Sequence, residues 1–500
     1  MKIRLGPNLV VGAVLTLVLV GIGAAMLVAG GIAAWEYSNS DAFCANVCHA
    51  VHPEEPKAHA ASFHARVHCV ECHMGRLSTL KLMAIKPTHI NELWGMIVGY
   101  ERPTISTSLR PARESCEACH WPEARHDDTV RVKYRYEDDV KSTQSQTTLR
   151  LHTGSGAGLA SGSKETDVQH NPGARVATGI HWHVAQDLEY VALDPYKQKI
   201  ALVELHAADG KVTRTYFDST AGVSRADVDK MPRRRIDCID CHNASGHPFS
   251  NPANLVDDAL EEGRIDRSLP SIKARSDAII KKAAGISGPE DERAAKFAAL
   301  IAAAAPQGAQ QPKVAPAEQQ FAAEMQHILL LSSFSAKDLT WKNFPNNVGH
   351  KDFPGCFRCH DGKHLNDKGE AIRLQCTLCH ALPQVVGENG VRSVQSTVSP
   401  DLTPPSSHEE PNWMRDHRTQ IDSSCGLCHG KIQWGAEGGS FCSNPACHGR
   451  KWPELDLDAQ VGTPGDGGKP AEPAKPAGAV QGSKPTKAEG HGAKPLAASR

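Results

Sequence analysis

Cysteine and histidine are the residues of this 500-residue chain whose types and spacing could do chemistry, and its 16 cysteines are all used the same way. Each falls in a pair that closes on a histidine. Six pairs read CxxCH: Cys69/Cys72/His73, Cys116/Cys119/His120, Cys238/Cys241/His242, Cys356/Cys359/His360, Cys376/Cys379/His380 and Cys425/Cys428/His429. Two are wider, Cys44/Cys48/His49 (CANVCH) and Cys442/Cys447/His448 (CSNPACH). Two thiols beside an imidazole form the unit for covalent haem attachment, in which the thiols add to the vinyl groups and the histidine coordinates iron. Zinc would need further ligands for each pair, and disulfides would not demand a histidine after every second cysteine. The pattern therefore implies eight covalently attached haem c groups, with His49, His73, His120, His242, His360, His380, His429 and His448 as proximal iron ligands.

The second axial ligands must come from elsewhere in the chain. It has 26 histidines but only eight methionines, one of them Met1, so histidine ligation dominates. Methionine ligation raises potential, and a histidine set implies low-potential haems suited to anaerobic respiration. The candidate distal ligands are His52, His64, His126, His247, His350, His364, His408 and His417, with His59, His68 and His89 as further possibilities in the first module. His181 and His183 alternate in Ile180 to Val184 and read as one face of a paired strand, with metal ligation as the alternative. His491 falls in the tail and is set aside.

Haem is attached in this way after export, so a targeting segment must precede the motifs. Leu9 to Trp35 is almost unbroken apolar sequence. At about 1.5 Å per residue it spans roughly 40 Å, enough to cross a bilayer, and it exceeds the roughly 7 to 15 residues of a signal-peptide apolar region. We read it as an uncleaved single-pass anchor in the cytoplasmic (inner) membrane. Lys2 and Arg4 keep the N-terminus inside and send the bulk of the chain to the periplasm. Gly21, Ala25, Ala29 and Ala33 fall four apart, a small-residue stripe that would let a partner helix approach.

Aromatic residues are only 5% of the chain, with 42 glycines and 32 prolines, so the porphyrins are expected to supply much of the apolar core. The formal net charge of −1 becomes more negative with haem propionates, which excludes nucleic acid as a partner. The expected fold class is a multihaem cytochrome c, mostly irregular, with short α-helices around stacked haems, a β-rich insert and one N-terminal transmembrane helix. It divides into a cytoplasmic tip (1–8), the anchor (9–35), a three-haem module (36–128), the β-rich insert (129–225), a fourth-haem segment (226–285), an Ala-rich helical spacer (286–340), a C-terminal four-haem module (341–456) and a disordered tail (457–500). Within the insert, Lys199 to His206 and Lys211 to Phe217 flank an Ala-Asp-Gly turn and predict a hairpin. Ser287 and Pro289 open one spacer helix and Pro316 another, whose Phe321, Met325, Ile328 and Leu329 share a face.

The anchor followed by FCANVCHAVHPEEPKAHAASFHARVHCVECHMG resembles NapC/NirT-type membrane-anchored quinol dehydrogenases, over roughly residues 9 to 125. IDCIDCHNASGHPF and NNVGHKDFPGCFRCHDGKH resemble the larger inner-membrane multihaem cytochromes of metal-reducing bacteria. The resemblance implies electron transfer from the quinol pool to a periplasmic redox partner, with quinol as substrate beside the first haem. The family carries a methionine two residues beyond the first haem histidine, where this chain has Val51, which makes His52 a substitute candidate. A lysine and an acid near the quinol correspond to the segment LKLMAIKPTHINELWG, which offers Lys81, Lys86, His89 and Glu92. The Ser-x-His of the family is Ser62-Phe63-His64, which favours His64 as a distal ligand. A second reading makes the chain a haem-wire subunit of a larger respiratory complex, reduced by a separate membrane subunit. A third, a multihaem reductase with an open iron site, is disfavoured because no CxxCK is present.

Overall fold

The computed structural model describes residues 7–49, 53–89, 94–95, 98–99, 110–121, 128–154, 179–306, 315–375, 378–381, 383–387, 390–391, 410–413, 416 and 454–455. The expected tail, 457–500, lies outside these, and Gln460–Arg500 of it forms a separate unit.

Helix α1, Pro7–Ser38, opens on a proline, whose missing N–H costs nothing in a first turn. It is long and apolar enough to cross a membrane, and Leu17, Leu19 and Leu27 stand exposed along it. Its 32 residues reach roughly 48 Å, beyond a hydrocarbon core of about 30 Å, which leaves Trp35 and Tyr37 for the interface. Short helical turns follow, among them α2, Glu54–Ala60, and α3, Thr79–Ile85.

Two antiparallel sheets occupy the middle of the chain. In the first, β1 (Thr129–Tyr136) and β2 (Gln144–Leu151) pair from Thr129 with Leu151 to Tyr136 with Gln144. A short helix, α4 (Trp182–Ala185), leads into the second sheet, built from β3 (Asp187–Ala192), β4 (Ile200–His206), β5 (Val212–Asp218) and the short β6 (Arg234–Arg235) and β7 (His364–Leu365). Its strand order is β6-β3-β4-β5-β7. Both sheets recruit later strands: β8 (Gln384–Gly387) and β9 (Gly390–Val391) extend the first, and β7 edges the second. The insert is therefore continuous with the C-terminal haem region.

The hairpin expected around Ala208 to Gly210 is β4–β5. The strand expected for His181 and His183 is corrected. Gly179 has φ +65°, and α4 starts three residues later, so this segment winds instead of extending.

A second correction concerns the core. Helices α5 (Pro252–Glu261), α6 (Ile272–Ala283), α7 (Glu290–Ala303) and α8 (Ala315–Leu331) bury Val256, Leu260, Ile272, Ile279, Phe297, Phe321, Met325 and Ile328 in one cluster with Tyr136 of β1. This is a side-chain core in its own right, and it runs across the boundary expected at residue 285. Whole-chain composition hid it because its aliphatic residues are concentrated locally. Pro289 precedes α7, and Glu290, Asp291 and Glu292 in its first turn complement the helix dipole. Buried Arg293 lies 3.7 Å from Glu54 of α2, whose carboxylate also accepts the Ser335 amide at 2.6 Å. This pins the first haem module to the helical core.

Arg275 of α6 donates two hydrogen bonds to Glu318 of α8, at 2.9 and 2.7 Å. Glu318→Ala should leave the half-buried guanidinium without its carboxylate and cost about 3–5 kcal/mol. The expected readout is a lower urea midpoint in the far-ultraviolet circular dichroism transition, with Glu318→Gln losing less.

Candidate haem-binding site

Among the described residues, motifs one to five are closed turns. In the third, fourth and fifth motifs the histidine amide donates to the carbonyl of the first cysteine, His120 to Cys116 at 2.8 Å, His242 to Cys238 at 2.8 Å and His360 to Cys356 at 3.1 Å. The wider first motif solves the same problem with a π-helical turn over Cys44–Cys48, in which His49 N–H returns to Cys44 one residue further back. The longer ring absorbs the extra residue and still brings the imidazole back beside the first thiol.

Among the attachment thiols, Cys119 stands at the surface. It is exposed, as is Cys72, whereas Cys116, the first thiol of motif three, is half-buried. The cause is local. Cys119 follows the 3₁₀ turn Cys116–Ala118, its amide closes that turn on the Cys116 carbonyl at 3.0 Å, and no side-chain core of the described residues includes it. Cys72, Cys116 and Cys119 are electrostatic neighbours, so these second thiols of motifs two and three share one solvent-facing edge of the module.

Carboxylates and carbonyls at the edge of one motif latch the next. Asp41 accepts the Cys69 amide at 2.9 Å and His68 Nδ1 at 2.9 Å, joining motifs one and two. Arg76 N–H donates to the Glu114 carbonyl at 3.1 Å, joining two and three. Asp237, which also caps motif four, accepts the Ala112 amide at 2.9 Å, joining three and four. Arg358 in motif five donates to the Asp240 carbonyl of motif four at 2.7 Å. The Asp240 carboxylate is buried and takes Tyr190 Oη at 2.8 Å and Arg234 at 3.1 Å. Thiols from successive motifs also meet. Cys44 shares a hydrogen bond with Cys69, which draws Cys44 down to about 7, and Cys379 does the same to Cys356. Six motifs therefore adjoin one another in sequence order.

Four proximal histidines each face an imidazole from elsewhere. Ring centroids are 6.1 Å apart for His73 and His247, 6.0 Å for His120 and His64, 5.9 Å for His360 and His183, and 6.2 Å for His380 and His350. His59 also lies 6.1 Å from His247. One metal atom held by two imidazoles at a metal–nitrogen distance of about 2.0–2.1 Å would separate their centroids by roughly 6 Å. The residues thus fit an iron between each pair. The outer nitrogens fit as well: Nδ1 donates to a backbone carbonyl in His64 (Ser245, 3.3 Å), His183 (Ile180, 2.8 Å), His247 (Glu55, 3.0 Å) and His380 (Ala381, 2.7 Å). That bond fixes the tautomer and leaves Nε2 as a lone-pair donor, the usual arrangement behind a metal-bound histidine. Burial drives His360 down to about 4 and lowers His242, His247 and His350, which keeps these rings neutral.

Zinc fits less well. Among the described residues no disulfide forms, and the cluster with cation-ligand spacing is Glu189, Glu204 and His206, which has no cysteine. Glu204 there is already paired with Arg233 at 3.1 Å and Arg225 at 3.4 Å.

Among the other sequence candidates, His364 is corrected. It is buried, with Nδ1 on Asp361 at 2.9 Å and Nε2 on the Ile200 carbonyl at 3.1 Å, so both nitrogens serve the β4–β7 junction and neither is left for iron. His68 is held by Asp41, and Lys81 is exposed on α3. Lys86 directs its ammonium at the end of α1, onto the Ser38 carbonyl (2.8 Å), Ser38 Oγ (2.6 Å) and Asn39 Oδ1 (2.8 Å), over the Trp35 ring at 4.7 Å. A cation on the last carbonyls of a helix also favours its dipole. His52, Glu92, His126, Cys376, His408, His417, Cys425, Cys428, His429, Cys442, Cys447, His448 and the side chains of Cys48 and His89 lie outside the described residues. For His183 the alternation favours a strand surface over metal ligation; the glycine before the pair, Gly179, is the signal that argues for a turn.

Residues 8–108 match the NapC/NirT cytochrome c family, N-terminal region. Similarity to a full-length relative runs well past that region, so the chain belongs to the NapC/NirT-type membrane-anchored multihaem cytochromes c, carrying covalent haem c for electron transfer. That relative is the cytochrome c-type protein ImcH of Geobacter sulfurreducens, 34% identical over 362 residues that cover 72% of this chain and 68% of ImcH. No solved structure matches.

Lys86→Ala removes three charge-assisted hydrogen bonds from the end of α1. Loss of about 2 kcal/mol would speed amide exchange roughly 30-fold in residues 36–40 and 79–86, measured by hydrogen–deuterium exchange on the detergent-solubilised protein.

Proposed function

We propose that this chain is an octahaem cytochrome that oxidises quinol at the periplasmic face of the inner membrane and delivers the electrons to a periplasmic acceptor in anaerobic respiration. The observation that carries the reading is the position of the first motif, whose Cys44 follows the end of the membrane helix at Ser38 by six residues, with Lys86 fastening the two segments. Bound haem supplies one-electron redox chemistry. Oxidation of a quinol to the quinone releases two electrons and two protons, so the site must accept protons as well. His89 and Glu92 follow Lys86 by three and six residues and are assigned that role from sequence position. The sixteen attachment thiols, exposed Cys119 and Cys72 among them, are assigned from motif spacing. His64, His183, His247 and His350 are assigned as distal ligands opposite His120, His360, His73 and His380. The His52, His126, His408 and His417 assignments rest on sequence alone.

One observation favours the haem-wire reading. The Lys86 ammonium is aimed at three oxygens of the helix end, so contact with quinol would require it to exchange a partner. A single experiment separates the two. Purified full-length protein in lipid nanodiscs, mixed anaerobically with a reduced quinol analogue, is expected to show haem α-band reduction without any partner subunit. No reduction, with full reduction by dithionite, would sink quinol oxidation and leave the wire. Pyridine haemochrome analysis of the same sample is expected to give eight haems per chain, and a lower number would correct the stoichiometry.

A further inference from the structure

We infer that the cations gathered around Asp240, with Arg358 foremost, set the potentials of haems four and five together, so that these two sites act as one step in the electron path. The inference needs haem at motifs four and five, and it does not depend on whether the electrons come from quinol or from a partner subunit.

Arg358 stands between Cys356 and Cys359 of motif five. Its Nη2 donates at 2.7 Å to the carbonyl of Asp240, which stands between Cys238 and Cys241 of motif four, so one guanidinium bridges both attachment turns. Its other bonds also go to carbonyls, from Nε to Gly355 at 2.9 Å and from Nη1 to Lys197 at 3.0 Å. The planar fork of arginine lets one side chain serve all three. Lys197 has φ +57°, a left-handed backbone that a residue with a side chain keeps only where its surroundings hold it, and its amide is closed on the Asp194 carbonyl at 3.0 Å. A carbonyl satisfies an N–H without cancelling the charge behind it. Among the described residues no carboxylate pairs with Arg358, so the cation keeps its field.

The carboxylate at the centre is already shared. Asp240 is 2% exposed, and its Oδ1 accepts from Tyr190 Oη at 2.8 Å and Arg234 Nε at 3.1 Å, with the Lys197 ammonium 3.7 Å away. Its Oδ2 accepts the Asp237 amide at 2.8 Å. Three cations therefore gather at one acid. The neighbouring acids of the two motifs are committed elsewhere, Asp237 to the Cys238 and Ala112 amides and Asp361 to the Lys363 amide and the His364 ring. In a half-buried setting a fixed charge is screened less than in water. Reduction adds an electron at an iron, so a cation beside both attachment turns favours the reduced form of both haems and raises both potentials. Motifs four and five follow the first module in the order of the latches. An electron leaving that module is drawn to this junction.

The test is a dithionite-driven redox titration of the full-length holoprotein, followed at the haem α-band, with Arg358→Gln, Arg358→Lys and Lys197→Met. With haem stoichiometry unchanged, Arg358→Gln is expected to lower the potentials of two haems and leave the others in place. Arg358→Lys, which keeps the charge but not the fork, should return both most of the way. Lys197→Met should lower the same two by a smaller amount. The inference is overturned if Arg358→Gln moves no potential or only one. It is equally overturned if Arg358→Lys moves the pair as far as Arg358→Gln does, because hydrogen bonding and not charge would then be responsible. Should Arg358→Gln not assemble, unchanged potentials in Lys197→Met decide against the inference. Because dithionite supplies the electrons, none of these outcomes bears on quinol oxidation, and the two readings stand or fall separately.

Discussion

The motifs keep their order because polar groups at their edges have nowhere else to go. Asp41, Asp237 and Asp240 sit beside attachment turns whose backbone amides and guanidinium neighbours must be satisfied as they are packed together. Each carboxylate or carbonyl finds its partner on the neighbouring motif, and these pairings, one of them around the buried Asp240, set the spacing. Apolar contact alone would hold the motifs together without fixing which lies next to which. Directional bonds of 2.7–3.1 Å do fix it.

Around that chain of latches, the rest of the fold serves as framing. The apolar helix α1 is held at its C-terminal end by Lys86, and α2 is held to the helical core through Glu54 and Arg293. The two sheets close on strands contributed from beyond motif five, which prevents the insert from moving independently of the sites it flanks. The helical core of α5 to α8 rests on ordinary aliphatic packing. It gives the protein a rigid body whose stability is separate from that of the cofactor-bearing turns.

What could be read from the sequence follows from how local each signal is. Cysteine spacing is decided within seven residues, so the attachment motifs are written in the sequence itself, and the long apolar helix α1, the β4–β5 hairpin and the apolar face of α8 are as local. Spacing does not say how enclosed a thiol is, which is why the exposure of Cys119 came only with the fold. Distal ligands are decided by tertiary contact. His364, five residues beyond Cys359, had the right neighbourhood in sequence and proves to be a buried structural histidine shared between Asp361 and Ile200. His183 had the wrong apparent periodicity and faces His360. Helices α5 and α6 were overlooked because a segment defined by its haem motif drew attention away from Val256, Leu260 and Ile279, which declare a core only when α7 and α8 are set against them.

The pairing of His73 with His247 has a consequence for how such a protein is made. A chain made N-terminus first presents its second attachment turn long before the segment that carries His247 exists, so the facing imidazole and the Glu55 carbonyl that orients it come together only after motif four has been made. The early turn therefore gains its facing ring from sequence made much later, and its surroundings are complete only when that sequence has folded against it.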